Sequence, residues 1–340
     1  MALGNVPWAI GNGAGNMVEG ARMSLYFATK GKRGVGGPLD MKVVPLPVPG
    51  PAVRVLTGTG VTPNDYPGGG LQSYGMWEDS STDVDIPATG SSGGATRYLI
   101  ARIMDPQYAG QEPEDPQVGP YNRYALVSSI SNLRYPHVPL AKITQPRSTG
   151  TITASMITDI REVANPNHDF AEFIRPRVIA DNEAGMNLTV TTTDGGEYFP
   201  GGDGSSNGFS TVVPPWATVA TIDAKWLSVS YKGGRDLRGY YWVEYGDEYR
   251  DRTWPNKRQW QYSTEKFAFN SPNTADHKRG NWLLSDSVPI PRKLRGKRVW
   301  FIFKAGRTGD TGVSMDEKTG VTMFINFYER TDRDPEVFES

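Results

Sequence analysis

The chain has 340 residues, with 36 Lys and Arg against 37 Asp and Glu, a net charge of −1 and 37% hydrophobic residues. A balance this even gives nothing to steer it to nucleic acid or to an anionic membrane surface. Cysteine is absent, which excludes disulfides, thiolate zinc centres and cysteine nucleophiles, and no apolar run approaches the roughly 20 residues that span a bilayer.

The length allows two domains, each with its own core. The start, Met1–Gly13, lacks the basic residues and apolar block of a secretory signal. Residues 1–150 hold 22 of the 39 glycines and 16 of the 26 prolines, but 23 of the 73 charged residues. A segment so rich in turns struggles to bury a large core alone. A helix is expected over Asn16–Lys30, where Val18, Ala21, Leu25 and Ala28 form one stripe and Lys30-Gly31-Lys32 supplies the stop. Strands are expected at Met41–Pro45, Ala52–Thr57, Leu71–Trp77, Thr96–Met104 and Tyr121–Ser129, between Gly/Pro/Asn turns. Tyr98–Ile103 is apolar at both parities, as in a strand covered on both faces. Asp105–Pro120 reads as a long polar loop of the functional or partner-contacting kind.

Thr151–Pro166 reads as a connecting helix. Ile157, Ile160 and Ala164 fall on one face, Thr153 is the candidate N-cap, and Asn165-Pro166 ends it. That face is expected to bury against the N-terminal half or a second copy. The domains are therefore 1–150, a connecting helix over 151–168, and 169–340.

Past the joint the style changes. Residues 151–340 carry 50 of the 73 charges and seven of the nine tryptophans. Strands are expected at Asn187–Thr192, Thr218–Tyr231, Leu237–Tyr249, Arg258–Ser263, Asn281–Leu284, Arg298–Lys304 and Val321–Tyr328. The fold class is mainly β: a small α+β N-terminal domain, the helix, and a C-terminal antiparallel β-sandwich of the jelly-roll kind. Neither half shows a repeat of fixed period.

Few motifs carry chemistry. His137, His168 and His277 share no spacing, and no HxH, HExxH or GxSxG pattern occurs. Gly11-Asn12-Gly13-Ala14-Gly15 lacks the strand of a dinucleotide fingerprint and the lysine of a phosphate loop, so it reads as a flexible lead-in to the helix. Asp310-Thr311-Gly312 is a single triplet where aspartic proteases need two, so it reads as a turn. Asp194–Gly208 holds oxygen ligands and glycines but not the alternate spacing of an EF-hand, which favours a loop over a calcium site. The basic run Arg292, Lys293, Arg295, Lys297 and Arg298 reads as a solvated turn, with an anionic polymer as its alternative partner. No cofactor, metal or catalytic residue is expected.

Aromatic residues crowd Trp216–Trp300. Rings of this kind either fill a sandwich core or stack on sugars. The candidates for exposed, glycan-binding rings are Trp254, Trp260 and Trp282, beside polar turn-like stretches, with Tyr240 and Trp242, whose parity opposes Tyr241 and Tyr245. Asp247, Glu248, Asp251 and Arg252 lie nearby to bond hydroxyls, and a carboxylate pair among them is the sole support for a glycoside hydrolase.

Several stretches, read together, give a resemblance. They are Pro7–Gly11, Val18–Arg22, Gly37–Asp40 with Lys42-Val43, Pro47–Val53, Pro67–Gly70, Gln72–Tyr74, Ile86–Gly90, Ala101-Arg102 with Asp105–Tyr108, and Ile157–Pro166. In this order and spacing the chain resembles minor tail proteins of siphophages that infect actinobacteria. The likeness fades after Pro166, where Pro215–Thr218 is the clearest shared feature. It implies a non-enzymatic virion protein of the distal tail, assembled in the host cytoplasm. Its implied partners are other tail proteins and its own copies, a trimer around the tail axis foremost. The N-terminal half would dock and the C-terminal sandwich would face the host envelope. The alternatives are a cell-wall glycan-binding module and an envelope-polysaccharide hydrolase.

Overall fold

The computed structural model describes residues 4–5, 18–108, 121–179, 185–193, 195–201, 208–233, 236–250, 258–272 and 276–331. The chain divides into two units, Met1–Pro166 with Glu329–Asp332, and Asn167–Tyr328 with Arg333–Ser340. It is mainly β, with one α-helix among the described residues.

The first unit begins with β1 (Gly4–Asn5) and α1 (Val18–Thr29), the helix expected from the apolar stripe. Short strands follow: β2 (Gly34–Val35), β3 (Val43–Pro45), β4 (Ala52–Val55), β5 (Gly58–Pro63), β6 (Ser73–Glu78) and β7 (Thr82–Asp85). Longer ones complete the unit: β8 (Ala95–Ile103), β9 (Asn122–Val127), β10 (His137–Gln145) and β11 (Ile157–Asp159). They form three antiparallel sheets, ordered β1-β6-β5-β2, β3-β4-β7 and β11-β10-β8-β9. Leu99, Ala101, Val138, Leu140 and Ile143 from the central pair join Val53, Val55 and Met76 in one core. The helix is held by charge. Arg22 reaches Asp105 at 2.9 Å, and the same carboxylate accepts the Tyr74 hydroxyl at 2.7 Å.

The helix expected over Thr151–Pro166 does not form. Ala154–Met156 makes one 3-10 turn, Thr153 is extended with no side-chain cap, and Ile157–Asp159 pairs with Ala141–Ile143. The reason is competition. Thr151, Ile152, Thr153, Ile157, Thr158, Ile160 and Val163 are β-branched, which favours extended backbone, and β10 offers a free edge for them to satisfy. Ile152, Val163 and Ala164 are buried while Ile157 and Ile160 are half-buried, so the apolar residues follow no helical stripe. Val35 closes the stretch, donating to Glu162 O at 2.8 Å and accepting from Ala164 N at 3.0 Å. Gly34 (φ 155°) makes that approach possible, because a Cβ there would lie 2.2 Å from the Glu162 carbonyl oxygen.

His137, unassigned by sequence, opens β10 and is 3% exposed. Arg33 Nη1 lies 3.1 and 3.0 Å from its two ring nitrogens, and Arg33 Nη2 holds Asp65 at 3.0 and 2.8 Å. Its Nδ1 is 2.9 Å from the Tyr135 carbonyl oxygen, which fixes the hydrogen on that nitrogen. Burial holds the imidazole below its ordinary pKa, and the Arg33 charge acts in the same direction. The unfolded chain therefore takes up the proton first. This contribution to stability is complete above the unfolded pKa of about 6.5 and is lost as pH falls from there through the lower folded pKa. The urea midpoint of the first unit is expected to fall between pH 7 and pH 5, and His137→Gln to flatten that fall. An unchanged slope in the variant would refute the assignment.

The second unit is a sandwich of two six-stranded antiparallel sheets. Its strands are β12 (His168–Arg175), β13 (Met186–Asn187), β14 (Glu197–Tyr198), β15 (Gly208–Val212), β16 (Val219–Tyr231) and β17 (Asp236–Arg250). They continue with β18 (Arg258–Ser263), β19 (Phe267–Pro272), β20 (Lys278–Pro289), β21 (Arg298–Arg307), β22 (Val313–Met315) and β23 (Gly320–Tyr328). One sheet runs β12-β23-β16-β22-β13, with β20 also on β16. The other runs β14-β21-β17-β18, with β15 on β21 and β19 on β17. Alternation builds the core: Val321, Met323, Ile325 and Phe327 face Val299, Phe301, Phe303 and Ala305, all at most 2% exposed.

Candidate functional site

The aromatic density beyond the joint is spent mostly on the core. Trp226 is fully buried, and its Nε1 donates to the Phe199 carbonyl at 2.6 Å. Trp282, expected to be exposed, is 3% exposed and stacks on Phe269 at 4.5 Å and Tyr241 at 5.0 Å. The correction follows from strand length: β20 is a twelve-residue strand, and its alternation sends Trp282, Leu284 and Val288 inward. Trp242 does point opposite to Tyr241 and Tyr245, yet it is 1% exposed. The face it joins is covered. Lys266 lies 4.5 Å over the ring, Gly196 packs on its edge, and Nε1 donates to Glu244 at 2.9 Å. Glu244 also faces the buried ammonium of Lys304 at 3.6 Å. Tyr240 remains, 38% exposed on that outer face. Trp254 and the Trp260 side chain lie outside the described residues.

The chemistry gathers elsewhere, at one end of the β12–β13 sheet. In β16 the residues facing the core are Ala220, Ile222, Ala224 and Trp226, then Val229 and Tyr231. A bulge between Trp226 and Val229 makes the switch of parity. Ser228 takes a left-handed φ of 58°, and its N–H donates to Asn281 Oδ1 at 2.8 Å. Past the bulge Ser230 and Lys232 point outward. Register then sets Asn187 opposite Ser314, Ser314 opposite Ser230, and Ser230 opposite Arg279. Directly opposed residues share a face, so a polar row crosses the sheet.

Asn187, Ser314 and Ser230 of this row, with Lys232, His277 and Asp316, line an open depression of about 480 Å³. Ser230 Oγ and His277 Nε2 lie 2.7 Å apart. Asp316 receives Arg279 Nη1 at 3.0 Å and Nη2 at 2.6 Å, and the Lys318 N–H at 3.0 Å. The Arg279 hydrogen bonds are the main cause that holds its carboxyl below the usual range, so it stays anionic. A serine bonded to a histidine is the start of a nucleophilic site. Among the described residues no third member orients His277: Asp316 is committed to Arg279. Of this set, the sequence alone singles out His277, with no site assigned to it. The signal for the others was their outward parity, which the bulge concealed.

The remaining candidates do not assemble. His137 lies in the first unit, and His168 stacks on Tyr328 at 4.9 Å in the second. Asp310-Thr311-Gly312 is a turn, where Asp310 Oδ2 accepts the Asp236 N–H at 3.1 Å. Arg292 and Lys293 sit in a 3-10 turn, Arg295 donates to Ile290 O at 3.1 and 2.9 Å, and Arg298 to Ser210 O at 3.2 Å. Gly11–Gly15, Asp251 and Arg252 lie outside the described residues, as do the Asp247 and Glu248 side chains. Residues 194 and 202–207 of the calcium candidate do too, and Glu197 is occupied by the Val190 N–H at 2.7 Å. Among the described residues no three His, Asp or Glu side chains gather as a metal site.

No protein-family model matches this chain, and no curated protein does. Solved structures from infectious bursal disease virus align with it loosely. The VP2 subviral particle of infectious bursal disease virus is 11% identical, covering 94% of this chain and 79% of that one at a TM-score of 0.23. The Gx strain of the same virus is 10% identical, covering 88% and 73% at a TM-score of 0.19. Values this low carry neither fold nor function across, so the mainly β sandwich stands on its own strands and registers.

Proposed function

We propose that this is a structural protein of a virus particle, placed at the distal end of a phage tail. Its first unit docks to the tail and its second is presented to the host surface. The observation that carries the reading is a coincidence of boundaries. The tail-protein resemblance runs through the first half and fades after Pro166, and the chain changes unit between Pro166 and Asn167. A shared docking unit with a divergent outward unit leaves such a pattern. Assembly as a homo-oligomer, a trimer around the tail axis, fits the exposed apolar residues. Phe27 is 66% exposed on α1, and Phe170 and Ile174 are 63% and 55% exposed on the edge strand β12. The role is structural rather than catalytic.

The test is a reconstruction of the intact particle. The chain is expected at the tail tip in three copies, with residues 167–328 outermost. Placement in the head shell, or a tail tip that lacks the chain, would end the proposal.

A glycan-binding role keeps support from Tyr240 on the outer face and from the polar depression, and it is compatible with the structural one.

A further inference from the structure

We infer that the depression between Asn187, Ser230, Lys232, His277 and Ser314 is a binding site for an oxyanion, the phosphate or carboxylate of an acidic saccharide. The inference deepens the attachment role and rests on it for the source of the ligand alone.

The argument is a count of donors. Among the described residues Asp316 is the one carboxylate in the wall, and it already accepts three hydrogen bonds, two of them from Arg279. A pair so closed is electrically neutral, and with three of the carboxylate's roughly four acceptor positions taken it offers little to a cation. Lys232 projects from the same wall, exposed and unpaired among the described residues. The Ser314 hydroxyl and the Asn187 amide also line it without a side-chain partner there. Ser230 Oγ pairs with His277 Nε2 at 2.7 Å; with the hydroxyl as donor, the hydrogen of the neutral ring sits on the second nitrogen. An ammonium, an amide NH2, a hydroxyl and an imidazole N–H thus converge on one concavity. Groups of that kind select an oxyanion, since charge-assisted hydrogen bonds to one exceed what a neutral hydroxyl returns. Among the described residues no aromatic ring lines the wall, so a neutral sugar finds no stacking surface there.

The site is also built rather than incidental. Ser230 and Lys232 reach this face because of the bulge at Leu227–Ser228, and Arg279 fastens that bulge by donating to Ser228 O at 2.9 Å while it neutralises Asp316. One residue thus sets the backbone and removes the competing carboxylate.

Isothermal titration of the full chain with inorganic phosphate, sodium glucuronate and glucose tests the inference. Binding of phosphate or glucuronate at millimolar concentration is expected, with glucose silent; which anion binds more tightly identifies the source chemistry. Lys232→Gln is expected to weaken binding roughly tenfold, as the loss of one charge-assisted bond implies, and Lys232→Arg to retain it. Lys225→Gln, exposed on the same sheet, is the control and should change nothing. An anion that binds equally to the Lys232→Gln protein, a glucose response equal to that of the anions, or no binding by any anion would overturn the inference. The two proposals fail separately. Anion binding by a chain that maps to the head shell would leave the site and remove the attachment role. A chain at the tail tip without anion binding would do the reverse.

Discussion

Alanine in place of Trp226 is expected to cost the second unit about 3–5 kcal/mol, the range for removing a buried aromatic. Trp226 is fully buried where both sheets meet, with Tyr241 at 5.2 Å and Phe303 at 5.0 Å, both edge-on, and Trp282 at 6.1 Å. A void there cannot close by a small shift, because the three rings are themselves held by their strands. The hydrogen bond to Phe199 O adds to the loss, since an orphaned buried carbonyl costs about 1–3 kcal/mol. Trp226→Phe separates the two effects: it restores part of the volume and leaves the carbonyl unpaired, so it should fall between wild type and alanine. Tyr240→Ala, on the outer face, should stay within about 0.5 kcal/mol. Urea unfolding followed by near-ultraviolet circular dichroism reads all three. A Trp226→Ala cost under about 1 kcal/mol, or one equal to that of Tyr240→Ala, would show that this ring does not anchor the core.

That contrast also measures what the sequence could convey. Alternation at Val321–Phe327 and Val299–Phe303 was enough to place two central strands and the side each buries. Trp282 went astray because its strand was read as Asn281–Leu284, too short for parity to outweigh the polar residues beside it. In Trp242 the parity was legible but the cover was not, since Gly196 and Lys266 come from distant parts of the chain. The depression was harder still. Ser230 belongs to a strand whose first half buries even-numbered residues, and only the left-handed turn at Ser228 reverses this. A serine gives little hint that it will adopt that conformation, and the Asn281 side chain that holds it lies 53 residues away. The stretch Thr151–Pro166 failed for a different reason. Ile157, Ile160 and Ala164 satisfy helical spacing by arithmetic, but the β-branched residues among them disfavour a helix. The free edge of β10, itself absent from the expected strands, decided the outcome.

The same stretch contains the other large effect. Asp159→Ala is expected to destabilise the first unit by about 3–5 kcal/mol, the cost of leaving one member of a buried ion pair alone. The Arg161 side chain is fully buried, while that of Asp159 is 28% exposed. Arg161 Nε and Nη2 reach the two carboxylate oxygens at 2.9 and 2.7 Å, and Nη1 donates to the Asp40 carbonyl oxygen. Asp159 Oδ1 also takes the Arg161 N–H at 3.0 Å, so the carboxylate satisfies both side chain and backbone. Alanine removes this and leaves a buried guanidinium without its counter-charge. The backbone pairing of residue 159 with Ala141 is preserved, so the loss reports charge rather than strand. The double variant Asp159→Ala/Arg161→Leu should be no less stable than the single one, because it takes away the stranded charge with its partner. Costs that simply add would refute the buried-charge account, and so would a single-variant cost below about 1 kcal/mol. The effect should extend to residues 329–332, which belong to the same unit: Thr331 Oγ1 donates to Arg161 O at 2.6 Å. Hydrogen exchange of that returning segment should therefore quicken in Asp159→Ala. Quickening there without global unfolding would identify Arg161 as the residue that fastens this returning segment to the first unit.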